Sequence, residues 1–100
     1  MVIHLYNLRD GGNLVPTDAK TIAARVAAIV VDAAQSGIIL SGRLPIWAMA
    51  AACHAAHPAA WVATFDPRLG GGVVVQAHTP DHQVGDIVPL EGHEETTIEL

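Results

Sequence analysis

Residues 37–57 read GIILSGRLPIWAMAAACHAAH, and they define the architecture predicted for the whole chain. Ile38–Leu40 is a short apolar run bounded by turn residues, which is typical of a buried strand. Pro45 stands where a helix would begin, because its missing N–H and fixed φ are tolerated in a first helical turn. An Ala-rich helix is predicted to follow over 46–57 and to end before Pro58, which disfavours helical geometry in the preceding residue.

Periodicity predicts the elements on either side of this stretch. Apolar residues at Ile22, Val26 and Ile29 recur at spacings of three and four and predict a helix, whereas alternating β-branched and aromatic residues predict strands. The order β-α-β-α-β-β-β predicts an α/β fold with a parallel part followed by an antiparallel hairpin. The acidic segment from Glu91 is predicted to fray. The predicted strands are 2–8, 38–40, 61–65, 73–78 and 86–90, the predicted helices 17–31 and 46–57, and the first turn 9–13.

Size and composition predict one domain over residues 1–100 that associates with further copies. The chain is 51% hydrophobic and only 15% charged, which is rich in apolar surface for its length. Contact between subunits is the better explanation of that surface, so we expect an oligomer.

Charge and cysteine content narrow the class of protein further. A net charge of −5 with five Lys+Arg argues against a broad basic footprint for DNA or long RNA, although a few donors could hold a small anion. The single cysteine, Cys53, leaves no intramolecular disulfide and no Cys-based zinc site. The first residues carry no basic region, and the longest apolar run, 27–31, is too short to span a bilayer. We expect a cytoplasmic protein that binds neither DNA nor membranes.

Ser41-Gly42-Arg43 lies between a predicted strand and a helix that begins at Pro45. Such a turn presents free backbone N–H groups and the positive end of a helix dipole, and glycine lets a ligand approach the backbone. The Arg43 guanidinium could add charge-assisted, bidentate hydrogen bonds to the same phosphate. Residues 41–45 therefore predict a cradle for phosphate, although a strand-to-helix turn with glycine is also common without a ligand.

His54 and His57 are three residues apart on a predicted helix and would share a face. The pair suits either a divalent metal or an acid/base residue with an orienting neighbour. The alternative is an exposed helix end where imidazolium interacts with the dipole. By contrast, Trp47 and Trp61 are interpreted as core or interface anchors. Nothing in the sequence suggests a site at the other histidines, which are His4, His82 and His93.

Asp66-Pro67-Arg68 follows a predicted central strand, at the edge where open α/β sheets bind their ligands. Asp66 could hold a metal or orient a histidine, and Arg68 could neutralise charge on phosphate. The alternative is a turn capped by Asp66 with a solvated Arg68. His78, at a later strand end, could converge on the same place. With Arg43, these residues could cleave a phosphodiester.

Three segments, SGRLPIW at 41–47, FDPRLG at 65–70 and VVVQAH at 73–78, occur in order with His54 and His57 between the first two. In order and spacing they resemble the small manganese-dependent CRISPR ring nucleases of type III systems. That family is distantly related to the CRISPR-associated Rossmann-fold (CARF) proteins. The resemblance covers about half of the chain and implies a small Rossmann-like, CARF-related α/β domain with a mixed sheet and about two helices.

Members of that family degrade cyclic tetra-adenylate, the messenger of the type III effector complex, and so switch off antiviral nucleases. The resemblance implies the same activity here, as a metal-dependent phosphodiesterase that uses Mn²⁺. It also implies homodimers that pair into tetramers around the ring, with catalytic groups from both sides. By motif position, the implied catalytic residues are His57, Asp66, Arg68 and His78, the phosphate-binding residues Ser41, Gly42, Arg43 and Pro45, and the metal ligands His54, His57 and Asp66.

Other interpretations stay open at this point. A module that senses or sequesters the messenger would need the cradle over 41–45 but not His57, Asp66 and Arg68. A metal-dependent exonuclease acting on 3′ RNA ends is a third possibility, against which the low basic charge counts. In a ring nuclease, the nucleophile could be the ribose 2′-OH or a metal-activated water.

Overall fold

A computed structural model describes residues 1–7, 12–33 and 36–100 of the chain. It confirms the predicted α/β class, with one mixed six-stranded sheet and two helices, as in a small Rossmann-like domain. The predicted strand end at Leu8 and most of the predicted turn over 9–13 lie outside the described residues. The elements are β1 Val2–Tyr6, α1 Asp18–Ala33, β2 Gly37–Ser41, α2 Ile46–Ala55, β3 Trp61–Asp66, β4 Gly71–Ala77, β5 Ile87–Pro89 and β6 Glu95–Glu99.

The sheet has the strand order β5-β4-β3-β2-β1-β6. Strands β1, β2 and β3 are parallel, and β4 and β5 continue from β3 as an antiparallel meander. The predicted parallel part followed by a hairpin is therefore confirmed. The carboxyl ends of β1, β2 and β3 meet at one edge of the sheet, which is where open α/β sheets bind ligands.

Both helices pack on one face of the sheet, which we call the helix face. Crossovers between parallel strands are right-handed, so the two consecutive β-α-β units place their helices on the same side. Successive side chains of a strand point to opposite faces, and the inward ones meet the apolar stripes of the helices. The fully buried members of this core include Ile3, Leu5, Ile38, Leu40, Val62 and Ile98 from the strands and Ile22, Val26, Val30, Ala48 and Ala52 from the helices.

The opposite face, which we call the open face, carries a second core built around Trp61. The indole lies across Gly37, where a Cβ would be 1.7 Å from the ring, so a side chain has no room there. His82 stacks on Trp61 with ring centroids 4.7 Å apart, and His93 meets it edge-on at 6.1 Å. Trp61 is 6% exposed, which confirms its predicted packing role. The two histidines belong to loops that cover this core.

The C-terminal segment forms a strand, so the prediction of a frayed acidic tail from Glu91 is wrong. β6 pairs in parallel with β1 over five residue pairs. Ile98 is 1% exposed and joins the helix-face core, while Glu95 and Glu99 are exposed. Charged side chains protect an edge strand from pairing with other chains. Because of those charged residues, the alternation of buried and exposed side chains in β6 was not recognisable in the sequence.

The second helix is shorter than predicted. α2 ends at Ala55, and His57 lies in the turn that follows, where its backbone N–H donates to the His54 carbonyl at 3.1 Å. Pro58 disfavours helical geometry at His57, so the helix ends before the imidazole. The other predicted boundaries that can be compared agree with the structure or differ by at most two residues. Among the described residues, neither helix has the length and apolar character needed to cross a membrane.

Candidate active site

The turn Ser41–Pro45 lies at the carboxyl edge of the parallel strands. A Cβ at Gly42 would be 2.5 Å from the Leu5 carbonyl oxygen, so glycine is what lets this turn pack against β1. Pro45 is the N-cap residue of α2, and no described side chain caps that helix end. The first N–H groups of α2 are therefore available to an anion, as the sequence predicted.

A cavity of about 480 Å³ opens beside this turn. Tyr6 and Phe65 flank the cavity on the neighbouring strands, and Ser41, Gly42 and Arg43 lie between them. Arg43 is exposed and makes no ion pair within residues 1–7, 12–33 and 36–100. Its guanidinium is therefore available for a charge-assisted bond to phosphate.

Asp66 and Arg68 form a tight pair in the turn after β3. The Arg68 Nη2 donates to Asp66 Oδ2 at 3.0 Å, and the Arg68 backbone N–H donates to Oδ1 at 2.9 Å. Asp66 therefore caps the turn and also orients Arg68, whose side chain is 87% exposed, as the turn interpretation predicted. Gly70 completes the turn with φ of +68°, which favours glycine. Pro67 lines the same cavity, so this turn borders the cradle.

The pairing fixes the charge of both groups. Hydrogen bonds from the Arg68 side chain and backbone hold the pKa of Asp66 below its usual value of 3.8. In turn, the hydrogen bonds and the charge of the Asp66 carboxylate raise the pKa of Arg68 above its usual value. Asp66 is therefore an anion throughout the neutral range, and it holds Arg68 as an oriented cation next in sequence to Pro67, which lines the cavity.

A second cluster joins His57, Gln76 and His78. Gln76 Oε1 lies 3.0 Å from His57 Nδ1, and Gln76 Nε2 donates to the His57 carbonyl at 3.0 Å. The amide oxygen can only accept, so His57 carries its proton on Nδ1 and leaves Nε2 as the basic nitrogen. The His78 ring meets the His57 ring edge-on at 5.0 Å, with His78 Nε2 3.2 Å from the Gln76 amide nitrogen.

A β-bulge brings Gln76 to this place. The pairing of β3 with β4 shifts between Val62 and Ala63, so Val62 opposes Gln76 and Ala63 opposes Val74. The extra residue, Val75, turns Gln76 to the helix face beside the end of α2. Both histidines were predicted as site residues and Gln76 was not, although an amide in an otherwise apolar strand was a signal for it.

The predicted site residues lie at two opposite edges of the sheet. The histidine cluster adjoins the start of β3, where the His78 backbone N–H donates to the Ala60 carbonyl at 2.9 Å, whereas Asp66 and Arg68 follow the end of β3. Five residue steps of a strand separate the edges by about 16 Å. We call them the cradle edge (Ser41, Gly42, Arg43, Pro45, Asp66, Arg68) and the histidine edge (His54, His57, Gln76, His78).

Within one copy of the chain, the predicted convergence of His78 on Asp66 does not occur. The reason is that β4 runs antiparallel to β3 and ends beside Trp61, which carries His78 to the opposite edge. The helix α2 likewise returns the chain to that edge before His54 and His57. The predicted metal ligands are divided in the same way, with Asp66 apart from both histidines. Among the described residues, no three His, Cys, Asp or Glu side chains of one copy gather as metal ligands.

Comparison with known proteins defines the class. Residues 9–89 match the family model described as CRISPR-associated protein (Cas_csx3), a range that includes both edges. An uncharacterized protein of Aquifex aeolicus (strain VF5) is similar, at 45% identity over 80 residues, which is 80% of this chain and 71% of the relative. The fold and its edges are those of a small CRISPR-associated α/β protein. The chain belongs to the Cas_csx3 family, which confirms the predicted association with CRISPR defence.

Proposed function

We propose that this protein is a ring nuclease that binds and cleaves cyclic tetra-adenylate and so switches off type III CRISPR antiviral signalling. The observation that carries the proposal is the division of the site. One edge of the sheet offers anion-binding groups, Arg43 and the Asp66–Arg68 pair, and the other offers the basic nitrogen of His57. Cleavage of a phosphodiester needs both, since among the described residues the cradle edge has no proton acceptor of this kind and the histidine edge has no comparable anion-binding groups.

The two edges of one copy are too far apart to act on the same phosphate. Proton transfer needs heavy atoms within about 3 Å, or one water, of each other, whereas the length of β3 separates the edges by about 16 Å. A complete site forms when the cradle edge of one copy meets the histidine edge of another. A ring with repeated phosphates suits such an assembly of copies, either dimers or dimers paired into tetramers.

In this site, the cradle edge holds the phosphate. The free N–H groups of the α2 N-terminus and the Arg43 guanidinium contact its oxygens, and Arg68, oriented by Asp66, neutralises the charge that develops on them. His57 of another copy accepts the proton of a ribose 2′-OH at Nε2. The 2′-oxygen attacks the adjacent phosphorus in line, and the 5′-oxygen leaves with a proton from His78.

In this proposal, Mn²⁺ would be bound by ligands from two copies of the chain and not by one copy alone. Imidazole and carboxylate are suitable ligands for Mn²⁺, but one copy does not fit the ion because Asp66 is separated from His54 and His57. A metal held between copies would neutralise charge on the phosphate and could activate a water. The proton transfers described above need no metal.

A non-catalytic role in binding the messenger is the second candidate. It is favoured by one observation, which is that the cavity and cradle of a single copy are complete without the histidine edge. A sequestering protein would use Arg43 and the α2 N-terminus alone.

The deciding experiment is incubation of the purified protein with cyclic tetra-adenylate, with and without Mn²⁺, followed by separation of the products. We expect linear products from the parent protein. An intact ring that nevertheless binds would support the sequestering role. Absence of both binding and cleavage would contradict both candidates. Sedimentation with ligand should show dimers or tetramers, and a 10.4 kDa species alone would contradict the shared site.

A further inference from the structure

We infer that Tyr6 is a stacking platform for a nucleobase of the messenger, held in place by the pair His4–Glu95. This inference rests on the proposed function and names a specificity-determining residue for the same site. Tyr6 lines the cavity beside the cradle, yet it is 53% exposed, and nothing in its sequence surroundings marked it as functional.

The sheet register places this tyrosine next to the phosphate cradle. In the parallel pairing of β1 with β2, His4 is the partner of Ser41, so the two side chains share the open face. Tyr6, two residues further along β1, projects from the same face. A nucleotide whose phosphate lies at Ser41–Arg43 therefore has its base within reach of the Tyr6 ring.

The Tyr6 ring is stacked with a second ring of β1. The His4 ring is stacked with the Tyr6 ring at an interplanar angle of 17°, with centroids 6.3 Å apart. His4 Nε2 in turn lies 2.8 Å from Glu95 Oε1, a contact between β1 and β6. Glu95 fixes the imidazole and the imidazole limits the orientations of the phenol, which is the kind of support that keeps a binding residue preorganised.

Two other aromatic side chains, Trp61 and Phe65, are less suited to this role. Trp61 is buried beneath His82 and His93 at the start of β3, which is the end of the strand away from the cradle edge. Phe65, across the cavity, is partly buried against the open-face core. Tyr6 is the aromatic ring of the cavity that combines exposure with a supporting stack. Stacking is tolerant of sequence but is strongest for purines, so an adenine suits it.

The test compares the parent protein with Tyr6→Leu and Tyr6→Phe in equilibrium binding of cyclic tetra-adenylate and cyclic tetra-uridylate. Tyr6→Leu should weaken adenylate binding about 5- to 100-fold and uridylate binding much less, since loss of one base stack has about that effect. Tyr6→Phe keeps the ring and should stay within about threefold of the parent. Equal binding by Tyr6→Leu and the parent, or an equal loss for both rings, would overturn the inference.

Two further measurements test the role of His4 and distinguish failure of this inference from failure of the proposed function. His4→Leu should weaken adenylate binding by itself but add nothing in the Tyr6→Leu background, because His4 acts through Tyr6; additive losses would overturn its positioning role. If the parent protein binds neither ring, the proposed function fails, and the platform is then judged on adenosine 5′-phosphate. Tyr6→Leu must weaken that binding also, and unchanged binding would overturn the platform. Melting temperatures should match because Tyr6 is outside both cores.

Discussion

The cradle edge and the histidine edge are built in different ways. At the cradle edge, backbone turns position the groups, since Gly42 packs the turn between β2 and α2 and Asp66 caps the turn between β3 and β4. At the histidine edge, a side-chain network positions them, since the Gln76 amide joins His57 and His78. If the protein is the proposed ring nuclease, this difference implies that binding and proton transfer are separable, because the length of β3 lies between the two sets of residues.

The largest expected effect is on cleavage by His57→Ala. Removal of a positioned proton-transfer group costs about 10²–10⁴ in rate, so single-turnover cleavage should fall at least ~100-fold. Binding of the ring should be unchanged because the cradle edge is intact. Lost ring binding in a variant that melts like the parent would show that the two edges are not separable.

The converse prediction concerns Arg43→Ala. Loss of a charge-assisted hydrogen bond should weaken ring binding by about 1.5–3 kcal/mol, measured by titration calorimetry. Lys20→Ala removes the same charge from an exposed position of α1 and serves as the matched control. If both variants bind equally, the phosphate is held elsewhere than at the cradle.

These two substitutions address the parts of the site that local sequence signals could predict. Gly37, Gly42 and Pro45 mark where the strand, turn and helix of residues 37–57 begin or end, so these elements were predictable. β6 was not, because its acidic residues hide an alternation that only pairing with β1 reveals. The place of Gln76 depends on a bulge, and the contacts of His82 and His93 with Trp61 depend on loops that pack from a distance. None of these leaves a periodic pattern.

A smaller effect is expected from Gln76→Leu, which keeps the size of the side chain but removes the bond to His57 Nδ1. Loss of a residue that orients a reacting histidine typically costs about 10- to 100-fold. Cleavage should fall within that range with ring binding unchanged, and Gln76→Glu, which keeps an acceptor, should retain more activity. A Gln76→Leu variant that cleaves at the parent rate would show that His57 needs no orienting partner.

The smallest effect concerns the pH dependence of stability at Asp66. Its pKa is lowered in the folded state, so its contribution to stability is fully present above the unfolded value and is lost as pH falls through the lowered folded value. The melting-temperature difference between the parent and Asp66→Asn should therefore be constant at neutral pH and shrink only below 3.8. The difference should be small, because the pair is exposed. A change near neutral pH would contradict the pairing.

The most direct test of the divided site is to mix two inactive variants. Arg68→Ala damages the cradle edge and keeps the histidine edge, whereas His57→Ala does the reverse. After subunit exchange, verified by co-purification of differently tagged copies, an equimolar mixture should recover about a quarter of the parent rate, because about one random pairing in four joins two intact edges. A mixture as inactive as either variant alone would show that each site is contained within one copy of the chain.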